Sequence, residues 1–361
     1  MNIILIILVF GVIIFFHELG HFIVAKMNHI TVKEFSMGLG PKLFSFNKKE
    51  TQYSLRLIPL GGYCMMLSED EEENENDENS FDKKSIWARM AVVLAGPFMN
   101  IVIAFIFSVV IIHFCGTDPA TIGRVYSDEL AQESDYADIA KEFGGDYPAA
   151  KAGIQDGDTV LKIGGSSIKN FRELQIYLEI YGDGSPIDLT LKRTDGEVYD
   201  TTVYPVKTSA GYKIGIISSG YKLPENFGEL MKYSAYEVRY WVKATFLSLK
   251  LIVTRQVSSD QVSGPVGVAK SMNDTFNEAA KVDVLNWMNY IVLLSANLGI
   301  MNMLPIPGLD GGRFLFLLIE LITRRKVPKD KENIVTVIGF VLVMILMVVI
   351  LFNDIKNVFF S

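Results

Sequence analysis

Hydrophobic positions gather into four long runs, at residues 2–24, 89–115, 287–323 and 333–353, separated by stretches in which polar and apolar residues alternate. Crossing the hydrocarbon layer of a bilayer takes about 20 residues of helix, so each run predicts a transmembrane segment. The third run is interrupted by Pro305, Pro307, Gly308, Gly311 and Gly312. A plain lipid-facing helix does not tolerate such breaks, because each freed amide would lose its hydrogen-bond partner in lipid. Broken backbone at membrane depth is expected to line a site.

The stretches between the runs have their own patterns. In the first, Thr31–Ser36, Lys42–Phe46 and Thr51–Ile58 read as short strands with Asn47-Lys48-Lys49-Glu50 as a hairpin turn. Two readings of this β-hairpin region stand open: a small cytoplasmic cap, or a membrane-associated sheet whose edge dips toward a site and pairs with an extended peptide. Residues 116–206 alternate like a compact α+β domain, with strands at Ile122–Tyr126, Asp158–Ile163, Ile187–Lys192 and Val198–Val203 and a helix near Phe171–Tyr181. Asp195-Gly196 supplies the turn of the last pair. Residues 226–286 have a helical pattern, amphipathic around Tyr240–Val253.

Orientation follows from lysine and arginine, which collect on the cytoplasmic side. Arg324, Arg325, Lys326, Lys329 and Lys331 lie between the third and fourth runs, and Lys26, Lys33, Lys42, Lys48 and Lys49 follow the first. Both loops are therefore expected in the cytoplasm, with both termini and residues 116–286 outside it. The expected organisation is a first crossing at 1–24, a cytoplasmic loop with β-hairpins and an acidic linker at 25–88, a second crossing at 89–115, an extracytoplasmic domain at 116–206 and an extracytoplasmic helical or linker region at 207–286. A broken third crossing at 287–323, a short cytoplasmic loop at 324–332 and a fourth crossing with the C-terminus at 333–361 complete it.

With 361 residues, half of them hydrophobic, there is room for a membrane domain and at least one soluble module. The net charge of −7 argues against nucleic acid as a partner, since phosphate binding needs a concentrated basic surface. Much of the acidity sits in Glu69–Glu78, a run expected to stay solvated and unfolded. The two cysteines, Cys64 and Cys115, fall in different compartments, which leaves no disulfide framework. The first run has no basic leader or small-residue cleavage site and is not expected to be a removable signal peptide.

Candidate chemistry sits inside that first run, as His17-Glu18-Leu19-Gly20-His21. Two imidazoles four positions apart on a helix share one face and can grip one metal ion, with the glutamate beside the first aimed at the water that ion would hold. A catalytic zinc takes three protein ligands. Of the remaining histidines, His29 lies past the first helix and His113 near the far end of the second, so neither is at the right depth. Asp310 is the candidate third ligand: it follows the Pro-Ile-Pro-Gly break and precedes Glu320 as the first acidic residue of the third run. An isolated charge at the bilayer centre costs at least about 2.5–3.5 kcal/mol, which a divalent cation would offset.

These motifs resemble those of the site-2 protease family of intramembrane zinc metalloproteases, in its bacterial RseP-like branch. The resemblance is carried by His17–His21, by Gly96-Pro97-Phe98-Met99-Asn100, and by Asn302-Met303-Leu304-Pro305-Ile306-Pro307-Gly308-Leu309-Asp310-Gly311-Gly312 in that order. Gly38-Leu39-Gly40-Pro41, Gly61-Gly62-Tyr63 and Ser263-Gly264-Pro265-Val266-Gly267 extend it over essentially the whole chain. It implies an α-helical polytopic membrane protein of four transmembrane segments, with Zn2+ held by His17, His21 and Asp310 and with Glu18 as the catalytic base. It further implies that Asn297, Asn302, Pro305 and Pro307 hold an unwound substrate. Tyr147–Ile154, with Gly157-Asp158 and Ile163-Gly164-Gly165, resembles the PDZ domain of the same family, although no Gly-Leu-Gly-Phe-like carboxylate loop is present. That domain is expected to act as a size filter admitting stubs already trimmed by an upstream site-1-type protease, with a rigid spacer as the alternative. Implied substrates are single-span membrane proteins such as anti-sigma factors, or remnant signal peptides. The rival readings are a membrane scaffold, which would not need Glu18, and a zinc carrier, which would need a relay of polar sites where the sequence offers one cluster.

Overall fold

In the computed structural model, which describes residues 2–67, 77–254 and 288–359, the chain divides into two compact units, residues 1–108 with 241–361 and residues 109–240. Most of the acidic run, the Ser263–Gly267 motif and the helical pattern expected beyond residue 254 lie outside the described residues.

The first unit is built on helices α1 (Asn2–Met27) and α2, which begins it at Ile86 and runs to Cys115. Its C-terminal part holds α7 (Asn289–Asn302), α8 (Asp310–Thr323) and α9 (Lys329–Phe359). Among the described residues, three helical stretches are long and apolar enough to cross a membrane: Ile7–Met27, Ile86–Cys115 and Asp330–Phe352. The third hydrophobic run is not one helix, because α7 and α8 have 14 residues each and the backbone between them, 303–309, is irregular. At 1.5 Å per residue each half spans about 21 Å, too little to cross alone. Proline at 305 and 307 removes two amide donors where a continuous helix would need them.

Strands β1 (Val32–Lys48) and β2 (Thr51–Met66) are longer than the pattern predicts, because both continue through their Gly and Pro positions by bending. The bends fold the pair back on itself. Phe35 faces Cys64 on one side and Tyr53 on the other, while Tyr53 also faces Phe46. Residues 61–66 therefore form an edge: they pair with 32–37, and no second strand among the described residues pairs with them. A polar network pins the bend, Arg56 donating to Glu34 Oε1 at 2.9 Å and to Gly40 O at 2.7 Å. Burial would raise the Glu34 carboxyl, but the neighbouring Ser54, Arg56 and Tyr63, with the Arg56 guanidinium donating to it, outweigh that and hold the group down at about 2.

The second unit contains β3 (Ile122–Val125), α3 (Ser134–Glu142), α4 (Pro148–Lys151), β4 (Thr159–Ile163), β5 (Ser166–Ser167) and α5 (Phe171–Tyr181). It continues with β6 (Ile187–Lys192), β7 (Val198–Val203), β8 (Val206–Thr208), β9 (Gly211–Lys213), β10 (Ile216–Ser218) and the start of α6 (Phe227–Val253). Four strands form one antiparallel sheet in the order β5-β4-β6-β7, and β10 pairs with β3. Alternation in β6 puts Ile187, Leu189 and Leu191 into a core with Val160, Ile163, Leu174 and Leu178. Asn170 caps α5 by accepting from Glu173 N at 2.9 Å. Between β3 and α4, Leu130, Ala140 and Phe143 pack on Tyr126 and Tyr147 as a small core of their own.

Within the first unit, Arg89 near the start of α2 makes a two-pronged pair with Glu320 of α8, at 3.0 and 2.5 Å. Both side chains are largely buried, at 8% and 16% exposure. Removing one partner strands the other charge, a loss of about 3–5 kcal/mol. Arg89→Ala is therefore expected to lower the thermal midpoint of the detergent-solubilised protein, with Arg89→Met/Glu320→Leu recovering most of the loss.

Candidate metal centre

The HExxH spacing on α1 puts His17 and His21 on one side of the helix, both buried at 6% and 7% exposure. Glycine at two positions lets α2 approach that face. A Cβ on Gly20 would stand 2.3 Å from Ala95 O, and a Cβ on Gly96 would stand 2.2 Å from His21 Nε2. Neither atom could be accommodated, so Gly20 sets the helix–helix contact and Gly96 leaves the space the imidazole fills.

Asp310 arrives from the opposite direction as the first residue of α8, where unpaired amide N–H groups favour a carboxylate. Gly311 and Gly312 let the 303–307 backbone fold onto that helix start, since Cβ atoms there would stand 2.2 and 2.5 Å from Leu304 O and Ile306 O. The result brings three atoms together. Asp310 Oδ2 lies 3.1 Å from His17 Nε2 and 3.4 Å from His21 Nε2, and the two Nε2 atoms are 3.3 Å apart. Among the described residues, His17, His21 and Asp310 are the group of three whose ligand atoms could share an ion.

Two observations test whether zinc fits. Ligands each about 2.0–2.1 Å from a tetrahedral ion stand about 3.3 Å from one another, which is the spacing found. Protonation is the second. His21 Nδ1 lies 2.8 Å from Val92 O, and a carbonyl only accepts, so Nδ1 carries the hydrogen and Nε2 presents a lone pair inward. Asp310 Oδ2 is buried and makes no hydrogen bond of proper geometry despite the nearby nitrogens. Lone pairs converging on one point without a shared proton call for a cation, and two nitrogens with one carboxylate oxygen suit Zn2+.

The surroundings can be placed as well. Asn302, the last residue of α7, puts Nδ2 3.2 Å from His17 Nε2, at the rim of the same point. Asn297 does not touch the histidines; its amide bonds to the Thr245 hydroxyl of α6. Pro305 is exposed and Pro307 half-buried, both in the irregular link that leads to Asp310. Asn100 of α2 is fully buried, with Nδ2 3.1 Å from His17 Nδ1. His29 and His113 are both exposed and stand outside the group.

Glu18 follows His17 and is half-buried, facing the edge strand at Gly62 and Cys64. A Cβ on Gly62 would stand 3.3 Å from Glu18 Cγ. Burial, reinforced by the Glu18 carboxylate, pushes the Cys64 thiol up to about 12, so the cysteine stays protonated and is no nucleophile. Beside the same strand lies a cavity of about 330 Å3 walled by Cys64–Leu67, Val93 and Leu317 and by the charged Arg89, Arg313, Glu320 and Glu332. The Arg89–Glu320 pair in this wall, Thr245 and the carbonyl of Val92 are site neighbours that the sequence does not announce, because each is defined by a partner at least 50 positions away.

Comparison with known proteins identifies the family. The sequence profile of peptidase family M50 matches residues 5–346. A candidate zinc metalloprotease of Clostridium acetobutylicum is 37% identical, over 98% of this chain and 97% of its own length. The zinc metalloprotease RasP of Geobacillus kaustophilus is 30% identical, over 99% of this chain and 98% of its own. The regulator of sigma-W protease RasP of Bacillus subtilis is 29% identical, over 98% of each.

If Gly96 makes the space for His21, Gly96→Ala is expected to weaken zinc binding by about tenfold or more while α1 and α2 persist. Chelator competition on the purified protein measures the affinity, and circular dichroism the helices.

Proposed function

The chain belongs to peptidase family M50 and is a zinc metalloprotease of the membrane; from that premise we propose that it cuts peptide bonds within or near the transmembrane segments of single-span membrane proteins, as a site-2 protease. The observation that carries the reading is the meeting of His17, His21 and Asp310 inside apolar helices with Glu18 beside them. A scaffold has no use for that arrangement.

His17 Nε2, His21 Nε2 and Asp310 Oδ2 hold the ion. Zn2+, when bound, supplies Lewis acidity toward a water and toward the scissile carbonyl. Glu18 takes the proton from the attacking water and delivers it to the leaving amine nitrogen. Asn302, at the rim, donates an amide hydrogen to the carbonyl oxygen as negative charge develops on it. Asn297, Pro305 and Pro307 shape the wall along which the substrate lies.

A helical substrate hides its peptide bonds, so it must unwind before attack, and in lipid each freed amide needs a new partner. Residues 61–66 supply them: their unpaired edge lies next to Glu18, and an extended peptide added there gains backbone hydrogen bonds beside the catalytic carboxylate. In this reading α7 and α8 in series make the third of four crossings. Both termini and the PDZ-like domain of residues 116–206 lie outside the cytoplasm, with 207–286 as the helical link to the third crossing. The domain acts as a size filter for substrates first trimmed by a site-1-type protease. The name of the Bacillus subtilis relative, regulator of sigma-W protease, favours an anti-sigma factor as one client.

Glu18→Gln is expected to retain zinc and to lose about 10²–10⁴-fold in cleavage of a single-span substrate; retained cleavage would remove Glu18 from its role. Local unwinding predicts that a substrate span containing Gly or Asn is cut faster than an uninterrupted polyleucine span in the same protein, and equal rates in a reconstituted assay count against it.

A further inference from the structure

Each of the two imidazoles has an outward nitrogen, and both of those nitrogens meet α2. For His21 the partner is the Val92 carbonyl, an obligate acceptor at 2.8 Å. For His17 it is the side chain of Asn100, a little over two turns further along the same helix and fully buried. The residue is gripped from behind, since Ser295 Oγ of α7 donates to its backbone carbonyl at 2.8 Å and Gly299 would bring a Cβ to 3.3 Å from its Cβ. Its amide has little freedom to leave the histidine.

The two ends of an amide exchange by a half-turn, and only hydrogen-bond accounting decides between them. With nitrogen toward His17, the amide donates into the Nδ1 lone pair, Nε2 must carry the ring hydrogen, and that ligand is lost to a cation; Oδ1 meanwhile stays buried without a partner. With oxygen toward His17, Nδ1–H donates to Oδ1 and Nε2 turns its lone pair to the point it shares with His21 Nε2 and Asp310 Oδ2. The other end of the amide faces the same position in either sense, so the histidine contact decides. Metal-bound histidines generally donate their second N–H to such an acceptor, which fixes both tautomer and ring plane.

We propose that Asn100 is a positioning residue of the metal centre, its side-chain oxygen accepting the Nδ1 hydrogen of His17 so that Nε2 is held as a ligand. The proposal rests on the metal-centre reading above and adds a specific polarity to a contact that would otherwise be helix–helix glue. α2 then orients both imidazoles, one by a backbone carbonyl and one by a side-chain carbonyl, while α1 and α8 supply the ligands.

Aspartate can only accept at this position, and leucine can do neither. The test measures Zn2+ affinity of the full-length apoprotein in micelles by chelator competition, with the visible absorption of the Co2+-loaded protein as a second readout. Asn100→Asp is expected to bind zinc within about fivefold of the unaltered protein and keep its Co2+ spectrum, whereas Asn100→Leu binds about 10–100-fold more weakly with a shifted spectrum. If Asn100→Asp binds as weakly as Asn100→Leu, the amide is a donor and the proposal fails; if Asn100→Leu binds like the unaltered protein, the contact is only packing and it fails as well. Asn100→Ala takes the place of the leucine variant should that one not fold. His17→Ala and Asp310→Ala run alongside: wild-type zinc affinity in both would overturn the metal-centre reading itself, and the Asn100 proposal with it, whereas their loss of zinc leaves the Asn100 variants to decide the proposal alone.

Discussion

Two imidazoles and a carboxylate kept among apolar helices carry a desolvation cost that a shared cation offsets, and His17, His21 and Asp310 stand at distances that suit one. A charge at the bilayer centre costs at least about 2.5–3.5 kcal/mol, and lone pairs of His17, His21 and Asp310 that meet within 3.4 Å repel one another unless positive charge sits between them. Much of the first unit serves that convergence. Gly20 and Gly96 let α2 come close enough to hold His21. The interrupted third run starts a new helix at Asp310, placing the carboxylate at a helix N-terminus instead of midway along a continuous span.

The same scarcity of water governs the substrate in the proposed reading. Lipid offers no hydrogen bonds, so an unwound peptide must find them on the protein, and the 61–66 edge beside Glu18 is where backbone groups are available. In a soluble protein an unpaired edge is an aggregation hazard. Here its Gly61-Gly62 bend and the Glu34–Arg56 network hold it in one shape next to the Glu18 carboxylate. The bidentate Arg89–Glu320 pair does similar work for the helices, locking the start of α2 to α8 with a contact whose rupture leaves a buried charge. Ion pairs also fasten α5 to the early part of α6 in the second unit, where Arg239 donates to Glu173 at 2.5 Å and Arg172 to Glu237.

Local pattern alone identifies three crossings, the break at Pro305–Gly312, the hairpin turn at Lys48–Glu50 and the strands of residues 122–203, because each depends on spacing and propensity within a dozen residues. The HExxH pair and Asp310 are equally legible: four-residue helical spacing faces two histidines the same way, and a lone aspartate in an apolar run needs a partner. Strand lengths were less legible, since β1 and β2 continue through glycines that read as punctuation. Between β3 and α4, Leu130 and Phe143 find Tyr126 and Tyr147 and build a core from them, a contact with no periodic signature.

What folding alone decided is the set of contacts between residues distant in the chain. Val92 O on His21, Asn100 on His17, Thr245 on Asn297 and Arg89 on Glu320 have no local signature, because each polar group could as easily have met another partner had the helices packed in a different rotation. The amino-acid order determined which groups must be rescued from lipid and the chemistry they could perform together. Helix packing, through two glycines and a broken span, determined which of them meet and in what orientation, because hydrogen bonds and metal ligation depend on ångström distances that periodicity along a chain does not encode.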